Sequence, residues 1–528
     1  MYKLSSTKLI IIASAMLVIF YNFAFFRNIF NIYPASPANY AFIASIACVL
    51  GCFVALLLAL VDSRHTTKPV LIPIFLISSV ASYFMDSYNI IIDSTMIQNA
   101  ALTDIGEVTD LLNFKLALYF LLLGVLPSVF IYKAKLLYAP LKSGIITKLK
   151  FIVILLVIIT SQLFIFSKSY ASFFREHKQA RYYTNPVTYL YAVEKYIKGS
   201  LAARNMPIES IGLDARIPVK DFHRELTILV IGETARADRF SLNGYERKTN
   251  PLLEKEDVIS FTNMHSCGTS TAVSVPCMFS MYNKDDYDDE KGYSNENLLD
   301  VLKHAGVNVL WRDNNSDSKG VALRVQYEDY KSPQSNTQCD IECRDVGMLD
   351  GLQEYIDAHP QDDILIVLHQ MGNHGPAYYK RYPKTFERFT PVCETSQLEQ
   401  CSEEQINNAY DNVILYTDYF LSEVIGLLKQ NSSTFETAMF YVSDHGESLG
   451  EKGVYLHGLP GFLAPEEQTH VASILWFGDN YDEIDTESVR LKTDRDYSHD
   501  NIFHTVLGLM EVNTELYNRD LDIIYSDM

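Results

Sequence analysis

The sequence predicts two parts of different fold class: an N-terminal α-helical transmembrane bundle of five helices, and a C-terminal α/β domain. Three observations carry this. Five apolar runs, each near the ~20 residues that cross a bilayer, fall before residue 170. Beyond residue 222, short apolar runs alternate with helical patterns, which points to a mainly parallel sheet covered by helices. Charge also divides the chain. Residues 1–215 carry 18 Lys+Arg and 10 Asp+Glu, and the remainder 26 and 54, so +8 and −28 make up the net −20. At 528 residues the chain is too long for one ordinary globular domain. The boundaries expected are 1–167 for the bundle, 168–222 for a linker with membrane-surface helices, and 223–528 for the second domain.

The apolar runs are 9–26, 40–61, 69–85, 115–132 and 149–167. No small-residue cleavage site follows the first, so it reads as a retained helix. Lys3 and Lys8, then Arg64 and Lys68, then Lys133, Lys135, Lys142, Lys148 and Lys150 fall on one side if all five runs cross. That side is cytoplasmic by the positive-inside rule. The loop 86–114 has no Lys or Arg and lies outside, as does the acidic domain. An acidic domain repels a phosphate backbone, so nucleic acid is not a partner. Within the outer loop, Asn99, Thr103 and Glu107 recur every four residues, which predicts one polar helix face. Taken alone this reads as a solvated face; beside a membrane, on the side of the second domain, it is also where a lipid headgroup would be read. Segments 170–181 and 186–199 mix aromatic and basic residues and suit helices on the membrane surface.

In the second domain the candidate strands are LTILVIGE (226–233), VNVLWR (307–312), DILIVLHQ (363–370) and AMFYVSDHG (438–446). Their unbroken apolar character suits strands buried on both faces. Each runs out into polar residues, where sites in such sheets gather. Six cysteines fall into near pairs, Cys267 with Cys277, Cys339 with Cys343 and Cys393 with Cys401. Six cysteines permit fifteen pairings, so spacing alone leaves connectivity open. Disulfides suit an oxidising compartment. Cys48 and Cys52, in an apolar helix, read as buried thiols.

The chemistry sits in three segments. ILVIGETARADRF puts Glu233 at a strand end. SCGTSTAVSVPCMFS puts Thr271 near a helix start, where backbone N–H groups and the dipole favour an anion. YVSDHGES puts Asp444 and His445 together at another strand end. Two carboxylates, an imidazole and a hydroxyl make an N/O set that suits zinc. A threonine hydroxyl is a weak nucleophile unless something lowers its pKa, so the metal and Thr271 belong to one hypothesis. His374, His457 and Lys319, in glycine-containing loops, read as phosphate contacts or a second, weaker metal site. His369 reads as a residue behind the metal ligands.

The ordered set GETARADR, SCGTSTAVSVPCMFS, LWRDNNSDSKG, ECRDVGML, LHQMGNHGPAY, PVCE, AYDNVILYTD and YVSDHGESLGEKGVYLHG resembles the lipid A phosphoethanolamine transferases of Gram-negative bacteria, including the mobile colistin-resistance enzymes. The resemblance runs along essentially the whole chain. It implies an alkaline-phosphatase/sulfatase-like second domain, a zinc held by Glu233, Thr271, Asp444 and His445, and three disulfides from the neighbouring cysteine pairs. It implies that Thr271 takes phosphoethanolamine from phosphatidylethanolamine and passes it to a lipid A phosphate, lowering lipid A charge and conferring polymyxin resistance. Lys319, His374 and His457 match phosphate contacts, and Asn99, Thr103 and Glu107 headgroup contacts. The implied setting is a monomer in the inner membrane with its catalytic domain in the periplasm. Fold alone also allows a phosphatase or sulfatase. Two other readings stand beside it: a membrane-anchored sensor that uses zinc structurally, and, within the family, a transferase whose acceptor is a core sugar or a surface protein.

Overall fold

The computed structural model describes residues 3–34, 36–103, 105–203, 207–218, 223–481 and 484–525; the side chains at 38, 105–107, 141, 176, 178 and 199–203 also fall outside that description. Two compact units result, Met1–Ile97 with Leu112–Tyr196, and Gln98–Leu111 with Ile197–Met528. Residues 204–206 and 219–222 of the expected linker lie outside the described residues.

The first unit is helical. Asn39–Val61, Thr67–Tyr88, Phe114–Lys133 and Lys142–Ile165 are each long and apolar enough to cross a membrane. Ser6–Phe20 and Phe23–Ile32, bent by 57°, make a fifth span when taken together. The bend has a cause. Asn22 Nδ2 donates to Leu17 O at 2.8 Å and to Asn185 O at 2.7 Å. A side chain that takes a helix carbonyl competes with the backbone ladder and kinks it. The basic segments meet at one end of this unit: Lys68 Nζ donates to Tyr132 O, Lys148 Nζ to Leu60 O and Asp62 O, and Lys3 pairs in register with Lys135. Small residues allow close helix approach; a Cβ on Gly124 would lie 2.7 Å from Ser79 Oγ. Cys48 is exposed and Cys52 half-buried, not buried as expected. In an apolar helix made for lipid, a thiol need not face inward.

The second unit is built on an eight-stranded sheet. Its strands, numbered along the chain, are β1 (Glu225–Gly232), β2 (Ile259–His265), β3 (Asn308–Asp313), β4 (Gln326–Asp329), β5 (Ile364–His369), β6 (Glu436–Ser443), β7 (His470–Phe477) and β8 (Tyr497–Ser498). The spatial order is β8-β2-β7-β6-β1-β5-β3-β4. The run from β6 to β4 is parallel, and β7 lies antiparallel to both its neighbours. Side chains alternate across the sheet. Leu226, Ile228 and Val230 join the core packed against the helix Glu403–Asn431. Leu229 and Ile231 join the opposite core, with Leu298–Ala305 and Ile502–Leu509. Full burial of each such side chain contributes about 1.5–3 kcal/mol. The long helix starts on a capping box, Ser402 with Gln405.

Immediately after β1 the backbone turns left-handed at Thr234, φ 52°. A β-branched residue adopts this only when its surroundings hold it. The Tyr410 hydroxyl does so from the long helix, donating to Thr234 O at 2.5 Å and accepting from Arg236 N at 3.0 Å. Tyr410→Phe is expected to lower stability by about 1–3 kcal/mol, because both buried backbone groups lose a partner. Denaturant unfolding checks this, and a change below about 0.5 kcal/mol contradicts it.

Candidate active site

Parallel register brings the chemistry together. Gly232 ends β1 opposite Ser443 of β6, and Ile231 lies opposite His369 of β5. The next residues, Glu233 on one strand and Asp444 and His445 on the other, therefore leave the sheet side by side. One donor atom from each lies within 4.8 Å of the other two, and all three residues are buried.

Hydrogen bonds orient these donors. Asp444 Oδ1 accepts from Thr234 N at 3.1 Å and His445 N at 2.7 Å. Glu233 Oε2 accepts from Asn315 Nδ2 at 2.8 Å and from the Thr271 hydroxyl at 3.0 Å. His445 Nδ1 lies 2.9 Å from Gly446 O, so Nδ1 carries the proton and Nε2 the free lone pair. That Nε2 lies 3.5 Å from Glu233 Oε1 and 3.3 Å from Asp444 Oδ2. These two carboxylate oxygens are buried with no hydrogen-bond donor among the described residues. Burial, then the charge of Asp444, holds the Glu233 carboxyl above its usual range, and burial raises Asp444 as well. Burial keeps His445 neutral, far below its ordinary pKa. Two buried anions facing a neutral imidazole are unfavourable without a cation. The three residues fit a divalent metal.

Thr271 begins the helix Thr271–Met278, with Ser270 as its N-cap and Pro276 within it. Its Oγ1 is 3.4 Å from His445 Nε2. Cys267–Cys277 closes a loop over this helix, and Cys339–Cys343 and Cys393–Cys401 are also bonded. Beside the cluster, His457 packs against His445 with ring centroids 4.3 Å apart and planes tilted by 48°, and the His374 ring lies 6.0 Å from His457. Burial acts to lower the His457 pKa. The Glu447 carboxylate, 2.8 Å from Nδ1, outweighs it with help from Glu233 and Asp444, pushing it up to about 9. Burial, then the charges of Arg381, His457 and Lys319, holds His374 neutral. Lys319 stands at φ 52° and donates to Ser316 O at 2.8 Å and Ser316 Oγ at 2.6 Å.

Comparison with known proteins decides the family. The model named Phosphoethanolamine transferase EptA/EptB matches residues 50–201, and the Sulfatase model matches 225–512. The chain is 45% identical to the phosphatidylethanolamine transferase Mcr-2 of Escherichia coli, over 93% of this chain and 92% of that one. It is 40% identical to the phosphoethanolamine transferase EptA of Salmonella typhimurium, over 95% and 93%. The chain belongs to the phosphoethanolamine transferase family. The integral membrane lipooligosaccharide phosphoethanolamine transferase A of Neisseria meningitidis superposes with a TM-score of 0.94 at 33% identity, covering 99% of both chains. In this transferase family member the second domain is accordingly sulfatase-like.

The structure thus gathers Glu233, Thr271, Asp444 and His445 tightly, with His457 and His374 adjoining. Asn99 and Thr103 fall in the same unit, but not on one continuous helix. The helix Ser94–Leu102 stops before Thr103, whose Oγ1 donates to Asn99 O at 2.6 Å, and another helix spans Ile105–Leu111. The Glu107 side chain lies outside the described residues. His369 is bound to Asp313 Oδ2 at 2.9 Å and belongs to a buried Asp313–Trp311 cluster.

Sequence reasoning passed over three residues. Glu447 holds His457 and accepts from the Tyr378 hydroxyl at 2.6 Å. Asn315 holds Glu233. His499 accepts from Cys267 N at 3.1 Å through Nδ1 and sits 3.0 Å from Ser443 O through Nε2, joining the Thr271 loop to the end of β6. Glu447 lies three residues beyond Asp444, and Asn315 two beyond Asp313 at the end of β3, so proximity to strand-end residues was their available signal. His499 gave none.

Proposed function

We propose that this chain is a zinc-dependent transferase that moves phosphoethanolamine from phosphatidylethanolamine to a lipid A phosphate through Thr271. The observation that carries the reading is the Thr271 hydroxyl lying 3.0 Å from Glu233 Oε2 at the edge of the Glu233–Asp444–His445 cluster. Family membership supplies the group transferred. Glu233, Thr271, Asp444 and His445 would hold the metal, and an N/O set of four suits zinc. Bound there, zinc lowers the pKa of the hydroxyl and offsets charge on phosphoryl oxygens. His374 and His457 are the residues that a second, weaker ion would use.

In the first half-reaction the Thr271 hydroxyl releases its proton to solvent, its Oγ1 attacks the donor phosphorus and the phosphorus–glycerol oxygen bond breaks; Oγ1 takes a proton back when it leaves in the second. The departing diacylglycerol oxygen takes a proton, which His457, kept charged by Glu447, is suited to supply. In the second, an acceptor phosphate oxygen attacks the phosphothreonine phosphorus and Thr271 Oγ1 leaves. Lys319 offsets charge on the transferring group in both steps. Asn99 and Thr103 would contact the donor headgroup, with Glu107 nearby in sequence. The chain would work as a monomer in a Gram-negative inner membrane, with bundle 1–167, linker 168–222 and a periplasmic domain 223–528.

Mass spectrometry of intact lipid A from expressing cells tests this. The expected result is a species heavier by one phosphoethanolamine. Release of labelled headgroup only as soluble product would instead mean a hydrolase. The added ammonium offsets phosphate charge and weakens cationic peptide binding, so polymyxin susceptibility should fall in the same cells. Unchanged susceptibility despite modified lipid A contradicts this last step.

A further inference from the structure

The helix Ile105–Leu111 ends in a partly buried charge cluster that the reaction scheme leaves unused. Arg381 is at its centre, with a side chain only 3% exposed. Its three guanidinium nitrogens serve three separate stretches of chain. Nη2 donates to Asp110 Oδ2 at 2.6 Å, Nη1 to Glu342 Oε2 at 2.5 Å, and Nε to the His374 carbonyl at 2.7 Å. Lys380 Nζ donates to the other Asp110 oxygen at 2.5 Å. Glu342 stands in the Cys339–Cys343 loop. With Arg344 Nη1 3.6 Å from Glu342 Oε1, two carboxylates face three cations, and the planar Arg381 fork meets three acceptors at once, which lysine's point charge does not do.

What this fork joins gives it meaning. Asp110 closes the segment that carries Asn99 and Thr103. At the segment's middle, Lys319 Nζ donates to Leu102 O at 3.4 Å. Lys319 and Arg381 therefore hold the segment on either side of Thr103. Arg381 also fixes the backbone of His374, in a loop that begins at Gly372, φ 45°. A Cβ at Gly372 would come within 3.0 Å of the Glu233 backbone, so this loop has little freedom of its own.

We propose that Arg381 is a positioning residue, and that through Asp110 it sets the register of the headgroup-contacting segment against His374. The inference rests on the donor site described under the proposed function. Removing the Asp110 charge frees the segment's second end, leaving only the Lys319 contact at Leu102 O, while Glu233, Asp444, His445 and Thr271 keep all their contacts.

The test is equilibrium binding of short-chain phosphatidylethanolamine to the full-length protein in detergent, in a Thr271→Ala background that cannot turn over. Asp110→Asn is expected to weaken binding about tenfold, Asp110→Glu by less, and Lys380→Met by under about threefold, since a partly exposed pair contributes little. Arg381→Lys combined with Asp110→Asn should be no worse than the worse single change, because both cut one linkage. In proteins with Thr271 restored, Asp110→Asn should raise KM for the lipid donor and leave kcat within about twofold, a split that general destabilisation does not produce. Wild-type affinity in Asp110→Asn, additive losses in the double variant, or a fall in kcat at unchanged KM overturns the proposal. Failure of the wild-type chain to modify lipid A would refute the acceptor reading and leave this binding result standing.

Discussion

Cells expressing Thr271→Ala are expected to carry unmodified lipid A, with transfer reduced on the order of 10³-fold or more, as when other covalent nucleophiles are removed. The protein itself should survive the change. The Thr271 hydroxyl donates to Glu233 Oε2, but Asn315 Nδ2 donates to the same oxygen, so no buried acceptor is stranded. Alanine also suits a first helical turn. The melting temperature should therefore stay within about 3 °C. Thr271→Ser, which keeps the hydroxyl, should recover much of the activity. Lipid A modified at wild-type level in the alanine variant would remove Thr271 from the mechanism.

Glu233→Gln and Asp444→Asn are expected to lose both metal and transfer. Each exchanges a carboxylate oxygen that no donor among the described residues satisfies for an amide that binds zinc poorly. Metal analysis should fall from about one zinc per chain to a small fraction, and activity by about a hundredfold or more. Neither variant need be less stable without metal. The two carboxylates repel across a buried site, so neutralising one relieves a penalty in the metal-free protein. That sign is the telling one: full zinc content with lost activity would assign these residues to proton transfer and not to the metal.

Much of this arrangement was legible in the sequence because it is local. An unbroken apolar run ending in a charged residue marks a buried parallel strand and the edge where chemistry collects. Glu233, Asp444, His445 and the strands before them could be read that way. What joins them could not. The pairing of Gly232 with Ser443 sets the two strand ends level, and register is a tertiary property. Glu447 with His457 closes over ten residues, and His499 reaches Cys267 across more than two hundred. The bend at Asn22 was hidden for another reason. One asparagine in an apolar run carries no signal until its partners, Leu17 O and Asn185 O, are known. The Asn99–Glu107 stripe misled in the opposite way, because its four-residue spacing promised one helix and Thr103 sits where that helix stops.

The grouping of Gln98–Leu111 with the sulfatase-like half bears on inhibitor discovery. A fragment starting near residue 223 keeps Glu233, Thr271, His374, Asp444, His445 and His457, yet it lacks the stretch whose Leu102 carbonyl meets Lys319 and whose Asp110 meets Arg381. Compounds selected on such a fragment would be ranked against a lysine and an arginine that have each lost one partner of the intact chain. Screening on the full-length chain avoids rewarding that contact.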